Sequence, residues 1–337
     1  MSVSNLNKSS AWQTSLIQAI TNPRELLDML ELDPALLTEA TAAAKLFNLK
    51  VPRGFVARME KGNINDPLLK QVLPLGAELI ETAGYEADPL QEASVNPIPG
   101  LLHKYRGRVL LTLVGTCAVN CRYCFRRHFP YEDNNPGTEG WEHALNYIAQ
   151  DDTIVEVILS GGDPLVVNDH GLRLFSEKLN AIPHVKRLRI HSRLPIVLPE
   201  RITPEFTQWL QSLPQKTILV THANHPREIN DPVKAAMRAL TAAGVVLLNQ
   251  AVLLKDVNDN LETLINLSET LFEAGIQPYY LHILDKVQGS AHFDLPLKRA
   301  QALHWELSQH LSGYLVPKLV YEKAGAPAKL PLELYTD

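Results

Sequence analysis

The residues best placed to do unusual chemistry are the chain's only three cysteines, gathered in Cys117-Ala-Val-Asn-Cys121-Arg-Tyr-Cys124. Thiols this few and this close make no disulfide framework. As thiolates they suit a [4Fe–4S] cube, three ligands leaving one iron open. An open iron can chelate the amino and carboxylate groups of S-adenosylmethionine, whose reductive cleavage would release a 5′-deoxyadenosyl radical. Two other readings stand beside this one. A zinc site would need a fourth ligand, for which His128 is the near candidate; or the three cysteines are buried and inert.

The segment Ser160-Gly161-Gly162-Asp163-Pro164 could serve the same ligand. Glycines let backbone carbonyls come close to a bound molecule, and the Asp163 carboxylate could receive its ammonium. An ordinary tight turn has the same composition.

A recurring unit positions both segments. Short β-branched or leucine-rich runs lie at Val109–Val114, Ile154–Ser160, Val185–His191, Thr217–Thr221, Val245–Val252 and Pro278–Leu284, each followed by a polar turn and a helical pattern. Continuous apolar strands alternating with helices indicate a parallel sheet covered by helices. Nearly every run ends in polar or reactive groups: Cys117, Ser160–Asp163, His191–Arg193, His222–His225, Asn249–Gln250 and Asp285. Barrel enzymes collect their active residues at C-terminal strand ends. The α/β pattern therefore predicts a partial (β/α)6 barrel rather than a doubly wound sheet. Upstream, Leu16, Ile17, Ile20, Leu26, Leu27, Met29 and Leu30 keep helical spacing, broken by Pro23 and Pro34. Two or three helices are expected there, then a polar stretch from Gly62 to Gly100. The expected organisation is a mostly helical region over 1–100 and a core barrel over 101–337.

Composition narrows the function classes. A formal net charge of −5 and a pI near 6.2 argue against a nucleic-acid or membrane-surface binder. No apolar run reaches the length of a membrane span. The opening MSVSNLNKSSAWQTS lacks the basic-then-apolar pattern of a signal peptide. A cytoplasmic protein, with no nucleic-acid and no membrane partner, is the expectation.

The cysteine spacing, Tyr123 before the third cysteine and the glycine-rich segment resemble the radical S-adenosylmethionine superfamily. Within it the chain resembles the lysine 2,3-aminomutases, and among them the short members that serve elongation factor P. The likeness runs from about Gly62 to Lys329. It is carried by Pro97-Ile-Pro-Gly-Leu-Leu-His103-Lys-Tyr105-Arg-Gly-Arg108, Cys124-Phe-Arg126-Arg127-His128, His191-Ser-Arg193-Leu-Pro, Thr221-His222-Ala-Asn-His225-Pro and Asn249-Gln250-Ala-Val-Leu-Leu-Lys.

The resemblance implies three cofactors: the [4Fe–4S] cluster on Cys117, Cys121 and Cys124, S-adenosylmethionine, and pyridoxal 5′-phosphate carried covalently on Lys329. Lys323 is the nearby rival, and Ala324-Gly-Ala-Pro-Ala-Lys329 departs from the family's glycine run. It further implies that Arg126 pairs with the amino-acid carboxylate and that Asp285 and Glu322 receive the ε-ammonium of lysine. Glu322 is longer than the aspartate usual there. Lys104, Tyr105 and Arg108 would anchor the phosphate. Ser160, Gly161, Gly162, Asp163, His222 and Gln250 would lie against S-adenosylmethionine, though His222 could equally be a satisfied structural histidine.

The expected activity is conversion of L-lysine to β-lysine. The chain stops eight residues after Lys329, where catabolic members continue, which points to supply of the β-lysyl group of elongation factor P. Functional links to that factor and its lysyl ligase, and to an electron donor such as flavodoxin or ferredoxin, go with this reading. The rivals are a catabolic lysine or glutamate 2,3-aminomutase, a radical enzyme acting directly on a macromolecule, and a non-catalytic metal module.

Overall fold

The computed structural model describes residues 10–130 and 137–332. One sheet runs in unbroken sequence order: β1 Leu101–Tyr105, β2 Arg108–Thr112, β3 Glu156–Ser160, β4 Arg187–Ser192, β5 Lys216–Thr221, β6 Val246–Val252, β7 Gln277–His282, β8 Lys318–Tyr321 and β9 Leu330–Pro331. Every neighbouring pair from β2 to β8 is parallel, and β1 and β9 pair antiparallel at the two edges. The strand order never reverses, as it does in a doubly wound sheet. The chain winds one way, and the partial α/β barrel is the observed fold.

Twelve helices are described: α1 Ala11–Ile17, α2 Pro23–Met29, α3 Leu37–Leu46, α4 Arg53–Val56, α5 Pro67–Lys70, α6 Gly137–Gln150, α7 Asp169–Asn180, α8 Leu194–Val197, α9 Pro204–Ser212, α10 Asp231–Ala242, α11 Leu261–Glu273 and α12 Leu297–His310. From α6 to α12 they fill the crossovers between β2 and β8. Polar residues mark the starts. Asn168, Thr203, Asn230 and Asn260 precede α7, α9, α10 and α11, and each side chain accepts a backbone N–H of the first turn. Gly244 and Gly275, both at φ +80°, close α10 and α11 in the left-handed conformation that glycine tolerates. Between start and stop the buried positions repeat at helical spacing: Val233, Ala236, Met237 and Leu240 in α10, and Leu264, Leu267, Ser268 and Leu271 in α11. Each such leucine contributes about 1.5–3 kcal/mol by leaving water, so the inward stripe, more than helix propensity, seats these helices on the sheet.

Three strands lay outside the six expected runs. β8 has four residues and β9 two, too short to show a period. β1 folds back on β2 through Arg106-Gly107, with Gly107 at φ +73°. The last expected run also stops early, at His282, leaving Asp285 in the following loop.

Among the described residues, α1, α2 and α3 fill the stretch where two or three helices were expected, and the four-residue α4 and α5 follow. Pro23 and Pro67 occupy first-turn positions, where the missing N–H costs nothing. Trp12, Leu26, Leu27, Phe55, Val56 and Leu68 are buried in the same apolar core as the barrel helices. The helical region also grips the cysteine segment. Arg122 forks onto the Glu78 carboxylate at 2.8 and 2.6 Å, Arg127 reaches the same group at 2.7 Å, and Arg122 donates to the Phe47 carbonyl at 2.8 Å. All three charges are buried. Removing one member of such a group strands the others and costs about 3–5 kcal/mol.

Candidate active site

Inside the barrel lies a cavity of about 610 Å³, and it is lined by the three cysteines and by every residue to which the resemblance assigns a role. Positions Ser160, Arg193, His222 and Glu322 lie at or just past the C-terminal ends of β3, β4, β5 and β8. Arg108 and Glu156, at the starts of β2 and β3, also line it. One end is built around sulfur and the other around Lys329.

At the sulfur end, Cys117, Cys121 and Cys124 are free thiols facing the cavity. Burial, then Asp163 and the other two cysteines, push the Cys117 thiol well above its ordinary value; burial and Cys121 push Cys124 up to about 11. Cys117 and Cys124, whose ionisation burial and neighbouring groups disfavour, fit a cationic group that takes thiols as thiolates. Among the described residues no three acid, His or Cys side chains converge on a single-ion site, and a cuboidal cluster spreads its thiolates over separate irons. His128 is exposed and its Nε2 lies 3.2 Å from the Gln288 carbonyl. It does not line the cavity, which removes the fourth ligand proposed for zinc.

The glycines are set by packing. Gly161 holds φ +98°, and a Cβ there would meet Thr112 at 2.5 Å; at Gly162 it would meet the Val114 carbonyl at 2.5 Å. The end of β3 is thus laid directly against the segment leading into the cysteines. Asp163 departs from expectation. Its carboxylate already accepts from Leu165 N at 3.0 Å, Ser192 Oγ at 2.7 Å, Arg193 N at 2.9 Å and Leu194 N at 3.0 Å. Four donors leave little capacity for a ligand's ammonium, so Asp163 joins β3 to β4. Ser160, Gly161 and Gly162 present backbone to the cavity. His222 stacks on Tyr123 at 5.7 Å, with Nε2 3.0 Å from the Tyr123 hydroxyl. Burial holds its pKa well below the usual histidine value, and Arg193 adds to this. It is a neutral, partnered histidine that also faces the cavity, as does Gln250.

At the other end, one carboxylate gathers the cations. Glu322 accepts from Lys104 Nζ at 2.6 Å, from the Tyr105 hydroxyl at 2.9 Å and from Lys329 Nζ. Burial alone would raise its pKa, but Lys329 and Lys104 outweigh that and hold it far below the usual carboxylate range. The Arg108 guanidinium lies 4.6 Å over the Tyr105 ring. At Asp285 the balance goes the other way: burial, then Glu322, push it up to about 7 although Lys329 and Lys104 pull it down. Lys329 is half-buried on the cavity wall, whereas Lys323 is exposed and off it.

Several wall residues escaped the sequence reading. Arg126 forks onto Glu92 at 2.7 and 2.6 Å, both nearly buried; Glu92 lies in a polar stretch without helical or strand period. Arg189, paired with Glu156, and the neutral His191 and His282 also line the wall. Their inward positions on β4 and β7 follow from strand alternation once the register is known. His191 and Arg193 were visible as a polar strand end and in a segment carrying the family resemblance, without a role of their own.

A family model for the radical SAM superfamily matches residues 111–268, which defines the class: a radical S-adenosylmethionine protein. The chain is 52% identical to the L-lysine 2,3-aminomutase of Escherichia coli (strain K12), over 96% of this chain and 94% of that one. It is 50% identical to the protein of the same name from Haemophilus influenzae, over 94% of each. It is 35% identical to that of Clostridium subterminale, over 95% and 77%. The chain belongs to the L-lysine 2,3-aminomutase family, a family of isomerases. The cofactors that go with it are a [4Fe–4S] cluster, S-adenosylmethionine and pyridoxal 5′-phosphate. A radical SAM methyltransferase from Sphaerobacter thermophilus aligns with a TM-score of 0.45 at 17% identity, over 66% of this chain and 68% of that one. Among the described residues no helix is long and apolar enough to cross a membrane.

Proposed function

We propose that this enzyme moves the α-amino group of L-lysine to C3, with the cluster on Cys117, Cys121 and Cys124 and pyridoxal phosphate on Lys329. The observation that carries the reading is the single cavity with three thiols at one end and a half-buried lysine at the other. When bound, the cluster and S-adenosylmethionine supply a radical able to remove an unactivated hydrogen, and pyridoxal phosphate supplies a carbonyl on which nitrogen can migrate.

The chain's own groups then bind, orient and shield. Arg126 receives the substrate carboxylate in a bidentate fork, exchanging it for Glu92. Asp285 and Glu322 face the distal end and hold the ε-ammonium. Glutamate would present a carboxylate to these two acids, which disfavours it by like-charge repulsion. Lys104, Tyr105 and Arg108 receive the phosphate; Lys104 and Tyr105 also donate to the Glu322 carboxylate. Lys329 would hold pyridoxal phosphate through its Nζ, as nucleophilic lysines do with carbonyls, and Glu322, its present partner, would take the ammonium whenever that lysine is free.

The finer reading is biosynthetic: β-lysine made here is attached to elongation factor P by a lysyl ligase, with flavodoxin or ferredoxin supplying electrons. An enzyme acting on free lysine needs no docking surface for the translation factor, which agrees with the acidic balance of the chain. The anaerobically reconstituted enzyme, given lysine or glutamate, should form β-lysine and little β-glutamate by mass spectrometry. Faster turnover of glutamate would overturn the substrate. Deleting the gene should remove the β-lysyl group from elongation factor P, and added β-lysine should restore it.

A further inference from the structure

The sulfur end contains a buried cation that neither the cysteine motif nor the substrate reading uses. Arg193, at the end of β4, is 6% exposed. Its Nη1 donates to Cys121 Sγ and to the Tyr123 hydroxyl, both at 2.8 Å. Its Nη2 donates to Gln71 Oε1 at 2.6 Å and to Glu228 Oε2 at 2.9 Å. The counter-ion is as firmly held: Glu228 is fully buried and accepts from Gln71 Nε2 at 3.1 Å, Asn224 N at 2.9 Å and His225 N at 3.1 Å. Phe55 closes the far side, 5.6 Å from the guanidinium carbon. The guanidinium can neither rotate away nor lose its proton. Its Nε is a further buried donor with no partner among the described residues.

We infer that Arg193 sets the reduction potential of the cluster by donating a charge-assisted N–H···S hydrogen bond to Cys121, with Glu228 as the opposing charge that keeps this effect in check. The inference rests on the cluster assignment of the proposed function. Reduction adds one electron to the cluster and no proton, so the reduced form is more negative by one charge. A fixed cation touching a ligand sulfur stabilises that form, and hydrogen bonds to sulfur are among the determinants of cluster potential. The buried carboxylate of Glu228 acts in the opposite sense. Gln71, from the end of α5, holds the guanidinium with Glu228, so the N-terminal helices help to set the electron affinity of a centre that hangs on the barrel.

The test is a spectroelectrochemical titration of the reconstituted protein without substrate, followed by electron paramagnetic resonance, with iron counted in parallel. Arg193→Gln should lower the reduced-to-oxidised ratio at a given applied potential about tenfold, a downward shift of about 59 mV for a one-electron couple. Arg193→Lys keeps the charge without the fork and should shift less. Glu228→Gln should shift the potential upward. Variants that load iron fully with an unchanged midpoint overturn this inference alone. Variants that fold and lose the cluster would make Arg193 a structural residue, which also overturns it. A wild-type protein that takes up no iron defeats the cluster assignment, and this inference with it.

Discussion

The two ends of the cavity are built from opposite materials. Around the cysteines, Arg193, Glu228, Asp163, Arg122 and Glu78 are fully or almost fully buried, each charge held by several partners. Around Lys329 the charges are fewer, partly exposed and gathered on one carboxylate, with side-chain exposures of 24% for Lys329, 14% for Glu322 and 11% for Lys104. A buried network that must stay fully satisfied to be tolerated is rigid. An ion pair that keeps some contact with water exchanges one partner for another at lower cost than one sealed from it. Electron transfer needs the first arrangement, because the cluster must not move. Substrate exchange needs the second, because the cations must release resident carboxylates and accept incoming ones.

The sharpest way to break this comparison is to disable each end separately. Cys124→Ala should abolish turnover and lose iron while leaving borohydride-trapped pyridoxal on Lys329. Lys329→Ala should abolish turnover and lose pyridoxal while about four irons per chain remain, as a cuboidal cluster requires. Peptide mapping that finds the adduct on Lys323 would misplace the lysine end altogether. Next in size is the frame of the sulfur end. Glu78→Gln leaves Arg122 and Arg127 as buried cations without their shared carboxylate, at a cost of about 3–5 kcal/mol. Chemical denaturation of the metal-free protein should register that loss; a change below about 1 kcal/mol would show that the buried network contributes no more than surface pairs do.

The difference between the ends also explains what could be read from sequence. The crossover helices were legible because Asn and Thr caps, terminal glycines and a 3.6-residue apolar stripe all agree locally. The cysteines were legible because all three thiols lie within one stretch of eight residues. Asp163 was misread because its role is decided by Ser192, Arg193 and Leu194, about thirty residues away, whose N–H and O–H groups saturate it. Glu92, Gln71 and Glu228 belong to segments with no period or motif; only the fold brings them to Arg126 and Arg193. The assignments at the lysine end came from resemblance, since an isolated Lys329 near an end of the chain carries no local signal. Long-range pairing of buried charges is the part of this site that no window of sequence displays.

The third prediction uses Asp285, which sits between the two regimes. Its pKa is pushed up to about 7 by burial and Glu322, against an ordinary value of 3.8. A carboxyl raised in this way stabilises the fold fully only at low pH, and the contribution is lost as pH rises through about 7. Asp285→Asn should therefore make the empty protein relatively more stable above pH 7. Lysine binding has the opposite dependence, because the ε-ammonium needs the ionised carboxylate. Wild-type KM for lysine should rise as pH falls below about 7, and the variant should show no such dependence. Losing one partner of a buried charged hydrogen bond should cost about 2–5 kcal/mol in kcat/KM, with iron and pyridoxal unchanged. A variant that keeps wild-type kcat/KM would remove Asp285 from the substrate.

The smallest effect probes the exchange itself. Glu92 fills the Arg126 fork at 2.7 and 2.6 Å, and it also adds to the upward push on Asp285. If the substrate carboxylate must displace it, Glu92→Gln weakens the competitor without touching the fork. KM for lysine should then fall by about fivefold, the equivalent of about 1 kcal/mol, with kcat little changed because the displaced group has no part in the reacting atoms. The same substitution removes a negative neighbour from Asp285, so the pH at which lysine binding weakens should move downward. The two readouts separate competition from support. A residue that merely orients Arg126 would raise KM when neutralised, and lysine would bind worse at every pH. A rise in KM would therefore place Glu92 among the fixed charges of the sulfur end, whereas a fall together with the acid shift would place it with the exchangeable carboxylates of the lysine end.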